Sequence, residues 1–171
     1  TSAWENNAQC IARKQELGLS SFRELQSVFI QEMAEHVKAN HRKLSVWNEA
    51  ITASGANVQT IANTGATVYC WVGADAAVAK AASLGLDHIY TPQIPFYINR
   101  KQSTDPGEPV GAGNGTDNLE AVYKQRLPVP AGSNAQLFTG IQGTFWTEYV
   151  GFNDYLEYLM LPRIVAIAES G

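Results

Sequence analysis

The stretch Ala66-Thr67-Val68-Tyr69-Cys70-Trp71-Val72 is a nearly continuous run of apolar and β-branched residues. Its length and composition predict a buried β-strand. Asp75 follows the run and can cap a helix that continues through Ala82 and closes at Gly85. Asp87-His88-Ile89-Tyr90 then predicts another short strand. A strand, a helix and a strand in this order indicate one parallel βαβ unit.

The same alternation extends toward the N-terminus. Ser21 and Glu24 form a capping box in front of apolar residues that recur at helical spacing, which predicts a helix to about Ala39. The stretch Lys43-Leu44-Ser45-Val46-Trp47 then reads as a strand. A helix and a strand therefore precede the βαβ unit, with a polar loop and a short helix between this strand and the next.

Residues 92–136 interrupt the regular pattern. The segment is rich in proline and glycine, and only Leu119 to Tyr123 suggests a helical turn. Gly111-Ala112-Gly113-Asn114-Gly115 follows no strand and opens no helix, so we expect a flexible loop there and not a phosphate site. A loop this long in a small domain is usually functional or disordered.

A last strand and helix close the chain. Leu137-Phe138-Thr139-Gly140-Ile141-Gln142 predicts the fourth strand. Asn153 or Asp154 can cap a helix through Ile167, which Pro162 kinks or restarts. Near-continuous apolar strands alternating with helices indicate a single α/β domain with a parallel sheet. Half of an eight-stranded barrel and a small open sheet both satisfy this pattern.

Composition excludes several classes of function. The net charge is −4, and no basic cluster exceeds Arg42-Lys43 and Arg100-Lys101, so a nucleic-acid surface is unsupported. No apolar run reaches the roughly 18 residues of a membrane span. Thr1-Ser2-Ala3-Trp4-Glu5 has no signal-peptide features.

Metal and redox chemistry have no support either. Cys10 and Cys70 form no disulfide framework, and we interpret them as unpaired small hydrophobes. His36 and His41 lie five residues apart, the wrong spacing for a shared metal face. His88, beside a strand, fits a hydrogen-bonded structural histidine. We therefore expect no metal and no cofactor.

Aromatic and polar residues cluster where the predicted strands end. The four strand ends lead into Trp47-Asn48-Glu49, Trp71, Tyr97-Ile98-Asn99 and Trp146-Thr147-Glu148. Parallel α/β folds bind ligands at the carboxyl ends of their strands. An indole packs on the C–H face of a sugar, and carboxylates and amides bind its hydroxyls, so this set suits a carbohydrate. Packing of the tryptophans in the sheet–helix interface is the alternative.

A resemblance to a known family covers essentially the whole chain. Gly140-Ile141-Gln142-Gly143-Thr144-Phe145-Trp146-Thr147-Glu148-Tyr149-Val150 resembles the last barrel strand of glycoside hydrolase family 20, the β-N-acetylhexosaminidases, and residues 157–169 resemble the helix after it. Val46-Trp47-Asn48-Glu49 is similar to the family's fifth-strand Gly-Trp-Asp-Glu. Trp71 matches the sixth-strand tryptophan, and Tyr97-Ile98-Asn99 stands where the family usually has Tyr-Leu-Asp.

The resemblance implies a partial TIM (β/α)8 barrel, with residues 1–171 forming a single fragment of about strands five to eight. In the family the catalytic Asp-Glu pair ends the fourth strand, shortly before a tryptophan like Trp4. We therefore expect that pair upstream of Thr1 and expect the fragment alone to be inactive. Its partners would be the missing N-terminal half of the barrel and, because a half barrel leaves strand edges unpaired, further copies of itself.

The resemblance also implies roles for individual residues. Trp47, Trp71 and Trp146 would enclose the sugar and its acetamido methyl group. Tyr97 would donate a hydrogen bond to the acetamido oxygen and orient it for attack, which is the catalytic role left to this chain. Glu148 would bind a ring hydroxyl of the terminal sugar.

Asn99 stands in place of the family's Asp, so the hydroxyl contact carried over to it involves an uncharged amide. Asn48 is a second replacement of Asp. The implied activity is removal of terminal N-acetyl-β-hexosamine by substrate-assisted retention, one of the exceptions to the two-carboxylate scheme. Chitin fragments, glycoprotein glycans and glycolipids all fit as substrates. Such enzymes are usually periplasmic, extracellular or lysosomal, and a non-catalytic carbohydrate-binding barrel is the alternative.

Overall fold

Four parallel strands form one sheet in the order β1-β2-β3-β4. The computed structural model describes residues 2–113, 115–129, 132 and 134–170. The strands are β1 Ser45–Trp47, β2 Thr67–Cys70, β3 His88–Tyr90 and β4 Phe138–Ile141. The predicted strands, their order and the parallel α/β class are confirmed.

Helices connect the strands and precede and follow them. A 3-10 turn, Ala135–Leu137, leads into β4. The helices are α1 Ser2–Glu5, α2 Ala8–Glu16, α3 Phe22–Ala39, α4 Glu49–Thr52, α5 Val58–Thr64, α6 Ala74–Ser83, α7 Gln93–Phe96, α8 Leu119–Tyr123, α9 Asn153–Met160 and α10 Arg163–Glu169.

The main core lies between the sheet and its helices. Val68, Cys70, His88 and Tyr90 alternate along β2 and β3 and are at most 2% exposed. The His88 ring bonds the Leu86 carbonyl oxygen through Nδ1 at 2.9 Å, which confirms the structural role predicted for this histidine. None of the described helices is both long and apolar enough to cross a bilayer.

The other face of the sheet is less covered. Tyr69 and Ile89, which alternate with the core residues, are only partly buried. Within the described sheet, β1 and β4 each pair with one neighbour, so each leaves an edge. Self-association through these surfaces stays a prediction.

The sequence pattern did not lead to a prediction of the two N-terminal helices, α1 and α2. Asn7 caps α2, because its side-chain oxygen accepts from the backbone N–H groups of Gln9 and Cys10 at 3.0 and 3.1 Å. None of the residues in α2 is buried. The cap is a local signal that marks the start of this helix.

Two predicted helix caps are wrong. Gly73, at φ 55°, is the N-cap of α6, and Asp75 lies in the first turn. Phe152 is the N-cap of α9, and Asn153 is its first helical residue. Acidic side chains favour the first turn of a helix as well as its cap, which explains the shifts. Pro162 separates α9 from α10, so the helix restarts as predicted.

Arg163 holds the long loop between β3 and β4. Its side chain is completely buried, and its guanidinium donates to the carbonyl oxygens of Ile98 at 2.6 Å, Arg100 at 3.0 Å, Asp117 at 2.9 Å and Leu159 at 3.1 Å. Burial lowers the pKa of Arg163 to about 10. One side chain thus satisfies carbonyls at both ends of the loop 98–117.

The glycine-rich segment packs against Arg100 and Lys101. Arg100 is buried and bonds the buried carboxylate of Asp117 through Nε. A Cβ on Gly111 would lie 2.6 Å from the Lys101 backbone nitrogen, and one on Gly115 would overlap Arg100 Nη2. The segment is close-packed at these two positions, and the flexibility expected of the loop stays a prediction. Asn114 lies outside the described residues.

Gly111→Ala should destabilise the fold, because the Lys101 backbone cannot yield as a side chain would. Overpacking of this kind costs about 1–3 kcal/mol. Gly107→Ala is the matched control in the same loop, since a Cβ there meets no atom within 4 Å. Urea unfolding of both variants measures the difference in free energy. Equal stabilities would contradict the close packing at Gly111.

Candidate functional site

Asn48 joins the end of β1 to the end of β2. Its side-chain oxygen accepts from the backbone N–H groups of Trp71 at 2.9 Å and Val72 at 3.3 Å. Its amide nitrogen donates to the Val72 carbonyl oxygen at 3.0 Å and to the Thr52 hydroxyl at 3.1 Å. Asn48 is 0% exposed, so these bonds satisfy the polar atoms of a side chain that water does not reach. An amide, which both donates and accepts, meets all four partners.

Glu49 bonds the side chain of Trp71. The Trp71 indole N–H donates to Glu49 Oε2 at 2.8 Å. The two residues lie at the carboxyl ends of adjacent parallel strands, where side chains that leave neighbouring strands meet. The position and the ring orientation of Trp71 are therefore fixed by consecutive residues, Asn48 and Glu49.

Four aromatic rings meet at this end of the sheet. We call Trp47, Trp71, Tyr97 and Trp146 the aromatic group. Its ring centroids are 6.4 Å apart for Trp47–Trp71, 6.0 Å for Trp71–Tyr97, 6.4 Å for Tyr97–Trp146 and 6.3 Å for Trp146–Trp47. Each ring thus neighbours two others and the contacts close on themselves. The structure brings together these four of the six predicted site residues.

Backbone pairing near Thr144 brings Tyr97 beside Trp146. Thr144 N–H donates to the Phe96 carbonyl oxygen at 2.8 Å, and Ile98 N–H donates to the Thr144 carbonyl oxygen at 2.9 Å. Tyr97 and Thr144 form a parallel bridge. The buried Thr144 hydroxyl also bonds that of Thr91 at 2.8 Å. These contacts extend the sheet beyond β3 and β4 and fix the loop residue Tyr97.

The members of the aromatic group differ in exposure: Tyr97 forms its buried floor, and Trp47 and Trp146 form its exposed rim. Tyr97 is 7% exposed, whereas Trp47 is 40% and Trp146 is 43% exposed. Burial raises the pKa of the Tyr97 phenol, the neighbouring Trp146 indole lowers it, and the negative charge of Glu49 raises it. The net direction is upward, so the phenol keeps its proton at neutral pH and can donate a hydrogen bond.

Asn99 and Glu148, the two remaining predicted site residues, differ in burial. Asn99 is 2% exposed, and its side-chain oxygen and nitrogen have no hydrogen-bond partner among the described residues. Its backbone carbonyl oxygen accepts from Ala112 N–H at 3.0 Å, so residue 112 lies over it. Glu148 is exposed and lies in the turn that the Val150–Thr147 hydrogen bond closes. The hydroxyl contacts expected of both residues stay predictions.

Two clefts adjoin the aromatic group. One, of about 560 Å³, lies between Trp71, Asp75, Tyr90 and Gln93. The other, of about 230 Å³, is lined by Trp47, Tyr69 and residues of the β1 and β4 ends. Among the described residues, no group of three His, Cys, Asp or Glu side chains could hold a metal ion.

Sequence reasoning missed the roles of Asn48, Glu49 and Thr144. Each stands inside a stretch that was singled out, yet only spatial contact reveals its partner. The signal available was the position of Asn48 and Glu49 directly after a strand, next to a strand that ends in tryptophan.

Comparison with known proteins identifies the family. The model of "Glycosyl hydrolase family 20, catalytic domain" matches residues 1–171. The chain belongs to this family. It is 32% identical over 170 residues to a beta-hexosaminidase of Porphyromonas gingivalis, with 97% of this chain and 21% of that protein covered. A beta-hexosaminidase of Vibrio furnissii is 28% identical over 171 residues, with 98% of this chain and 27% of that protein covered.

Solved structures of family 20 enzymes share the fold. An inactive mutant of the exo beta-N-acetylglucosaminidase from Vibrio harveyi superposes with a TM-score of 0.83 at 24% identity, over 98% of this chain and 26% of that one. The beta-N-acetylhexosaminidase from Bacteroides fragilis gives a TM-score of 0.75 at 25% identity, over 98% and 33%. The predicted partial TIM barrel is confirmed. The chain spans about a quarter of the length of the curated relatives it matches.

Asn48→Leu should destabilise this family 20 chain by about 3 kcal/mol, because backbone N–H and C=O groups of residues 71 and 72 would lose their hydrogen-bond partner. Asn48→Asp should cost less, since a carboxylate keeps the two accepted bonds and loses the two donated ones. Asn63, an exposed asparagine in α5, provides the matched Asn63→Leu control. Chemical denaturation gives the three free energies of unfolding. An Asn48→Leu variant as stable as its control would refute the role of this amide.

Proposed function

We propose that the chain supplies the sugar-holding part of a β-N-acetylhexosaminidase, a glycosidase that removes terminal non-reducing N-acetyl-β-hexosamine. The observation that carries the proposal is the closed contact of Trp47, Trp71, Tyr97 and Trp146 at the carboxyl ends of the strands. Aromatic rings pack on the apolar C–H faces of sugars, and an apolar enclosure also suits the methyl group of an acetamide. Family membership and the names of the relatives support the same substrate class.

The proposed reaction is substrate-assisted retention. The acetamido carbonyl oxygen attacks the anomeric carbon while the bond to the leaving oxygen breaks, giving an oxazolinium ion that water then opens. A glutamic acid outside this chain would protonate the leaving oxygen, and a neighbouring aspartate would hold the acetamide N–H. Water then attacks the anomeric carbon from the face of the original bond and gives a proton back to the glutamate, so the product keeps the original configuration.

Within this reaction, Tyr97 would orient the acetamido oxygen. A protonated phenol on the floor of the aromatic group can donate a hydrogen bond to that oxygen. A hydrogen bond that holds the attacking oxygen near the anomeric carbon lowers the activation free energy, and orientation of this kind can lower it by several kcal/mol. The three tryptophans would pack around the acetamide and keep its oxygen directed at the anomeric carbon.

The first test compares hydrolysis of a chromogenic N-acetyl-β-glucosaminide by this chain and by a longer protein in which the chain is joined to the rest of a barrel. We expect the longer protein to turn over and the 171-residue chain to be inert, because the proposal assigns the acid and its aspartate to the part outside this chain. Turnover by the chain itself would place a catalytic carboxylate within it. If neither protein reacts but the longer one binds N-acetylglucosamine, the carbohydrate-binding alternative is correct.

Tyr97→Phe should lower kcat of the longer protein by about 100-fold, the loss typical for one donor aimed at a reacting oxygen. The ring and its stacking on Trp71 remain, so KM should change little. Tyr123→Phe is the matched control, because Tyr123 is 62% exposed on α8. Steady-state kinetics on both variants provides the measurement. An unchanged kcat in Tyr97→Phe would show that Tyr97 does not orient the acetamido oxygen.

A further inference from the structure

Glu49 is a half-buried carboxylate whose purpose the proposed reaction leaves unexplained. It begins α4, directly after Asn48 at the end of β1. Its Oε2 accepts the indole N–H of Trp71 at 2.8 Å, and the other carboxylate oxygen has no hydrogen-bond partner among the described residues. A carboxylate at the edge of an aromatic cluster loses part of its hydration. The hydrogen bond to Trp71 compensates part of this desolvation free energy.

The bond to Glu49 is the one hydrogen bond that the Trp71 indole makes among the described residues. Its backbone N–H is held by Asn48, but that bond leaves both side-chain torsions of the indole free. Trp71 is only partly buried, so packing does not enclose it. A hydrogen bond to a charged acceptor is about twice as strong as a neutral one, and it acts at the far edge of the ring, where it constrains rotation most.

The orientation that Glu49 fixes is the one that faces Tyr97. The Trp71 and Tyr97 rings are stacked, with centroids 6.0 Å apart and planes 17° apart. Trp71 also meets Trp47 edge-on, at 74° between planes. Rotation of the Trp71 indole would therefore break two contacts of the aromatic group.

We propose that Glu49 is a positioning residue of the sugar site: its carboxylate holds the Trp71 indole stacked on Tyr97 and thereby sets the shape of the acetamide enclosure. The role in sugar binding rests on the proposed function, whereas the effect on the Trp71 ring does not. Glu49 acts through Trp71 and transfers no proton.

The ring itself can be observed without substrate. In the 15N-labelled 171-residue chain, the four tryptophans give four indole N–H signals, and Trp71→Phe identifies the one from Trp71. Glu49→Ala should shift that signal upfield and speed its exchange with solvent about tenfold or more. Glu49→Gln should shift it less, because the amide oxygen still accepts. Glu120→Ala, which removes a carboxylate that is 68% exposed on α8, should leave it unchanged.

Kinetics of the longer protein tests the consequence for the sugar. Glu49→Ala should raise KM about tenfold, and Glu49→Gln should recover most of that loss, since a neutral acceptor still orients the ring. In a Trp71→Phe background, which has no indole N–H, Glu49→Ala should change KM less than about twofold. This lack of additivity separates an action through Trp71 from a direct contact with substrate.

Each contrary result has a distinct meaning. An unmoved Trp71 signal in Glu49→Ala would overturn the positioning role, whatever the activity. A full loss that Glu49→Gln does not rescue, or one that persists in the Trp71→Phe background, would make Glu49 a direct sugar ligand and would also overturn it. An inactive longer protein with the expected signal shift would disprove the proposed glycosidase function and leave the Glu49–Trp71 contact intact.

Discussion

The buried guanidinium of Arg163 is the constraint on which the shape of the site depends. A completely buried cation is stable only where hydrogen bonds compensate its lost hydration, and here the acceptors are carbonyl oxygens of α9 and of both ends of the loop 98–117. Two of those carbonyls, from Ile98 and Arg100, lie on either side of Asn99. The last helix thus fixes the backbone just after Tyr97, although it contributes no ring to the aromatic group.

From that anchor the site is assembled by contacts between consecutive strand ends. Asn48 ties the β1 end to the β2 end, and the pairing of Tyr97 with Thr144 ties the loop after β3 to the segment after β4. These contacts act on the backbone of Trp71 and on the backbone next to Tyr97 and Trp146, and do not depend on contacts between the rings. A rigid backbone of this kind keeps the entropy cost of ordering the rings low when a ligand binds.

The strands and most of the helices could be predicted because their apolar patterns are local. The carboxyl-end rule then placed Trp47, Trp71, Tyr97 and Trp146 at one edge of the sheet, and the structure brings them together. The helix α2 was not predicted; it is short and buries no residue, and the Asn7 cap is the local signal that marks its start. The packing of Gly111 against Lys101 and the carbonyl set around Arg163 join residues far apart in sequence, and no periodicity encodes such contacts.

The packing around Asn99 disfavours a charged side chain at this position. Both polar atoms of the Asn99 side chain are buried without a partner among the described residues, and Ala112 lies over its backbone. An unpartnered amide in that position costs about 1–3 kcal/mol, whereas an unpartnered carboxylate would cost far more or take up a proton. A neutral side chain therefore fits this buried position better than a carboxylate does. The part of the aromatic group that is most open to a ligand is the exposed pair Trp47 and Trp146, above the buried Tyr97.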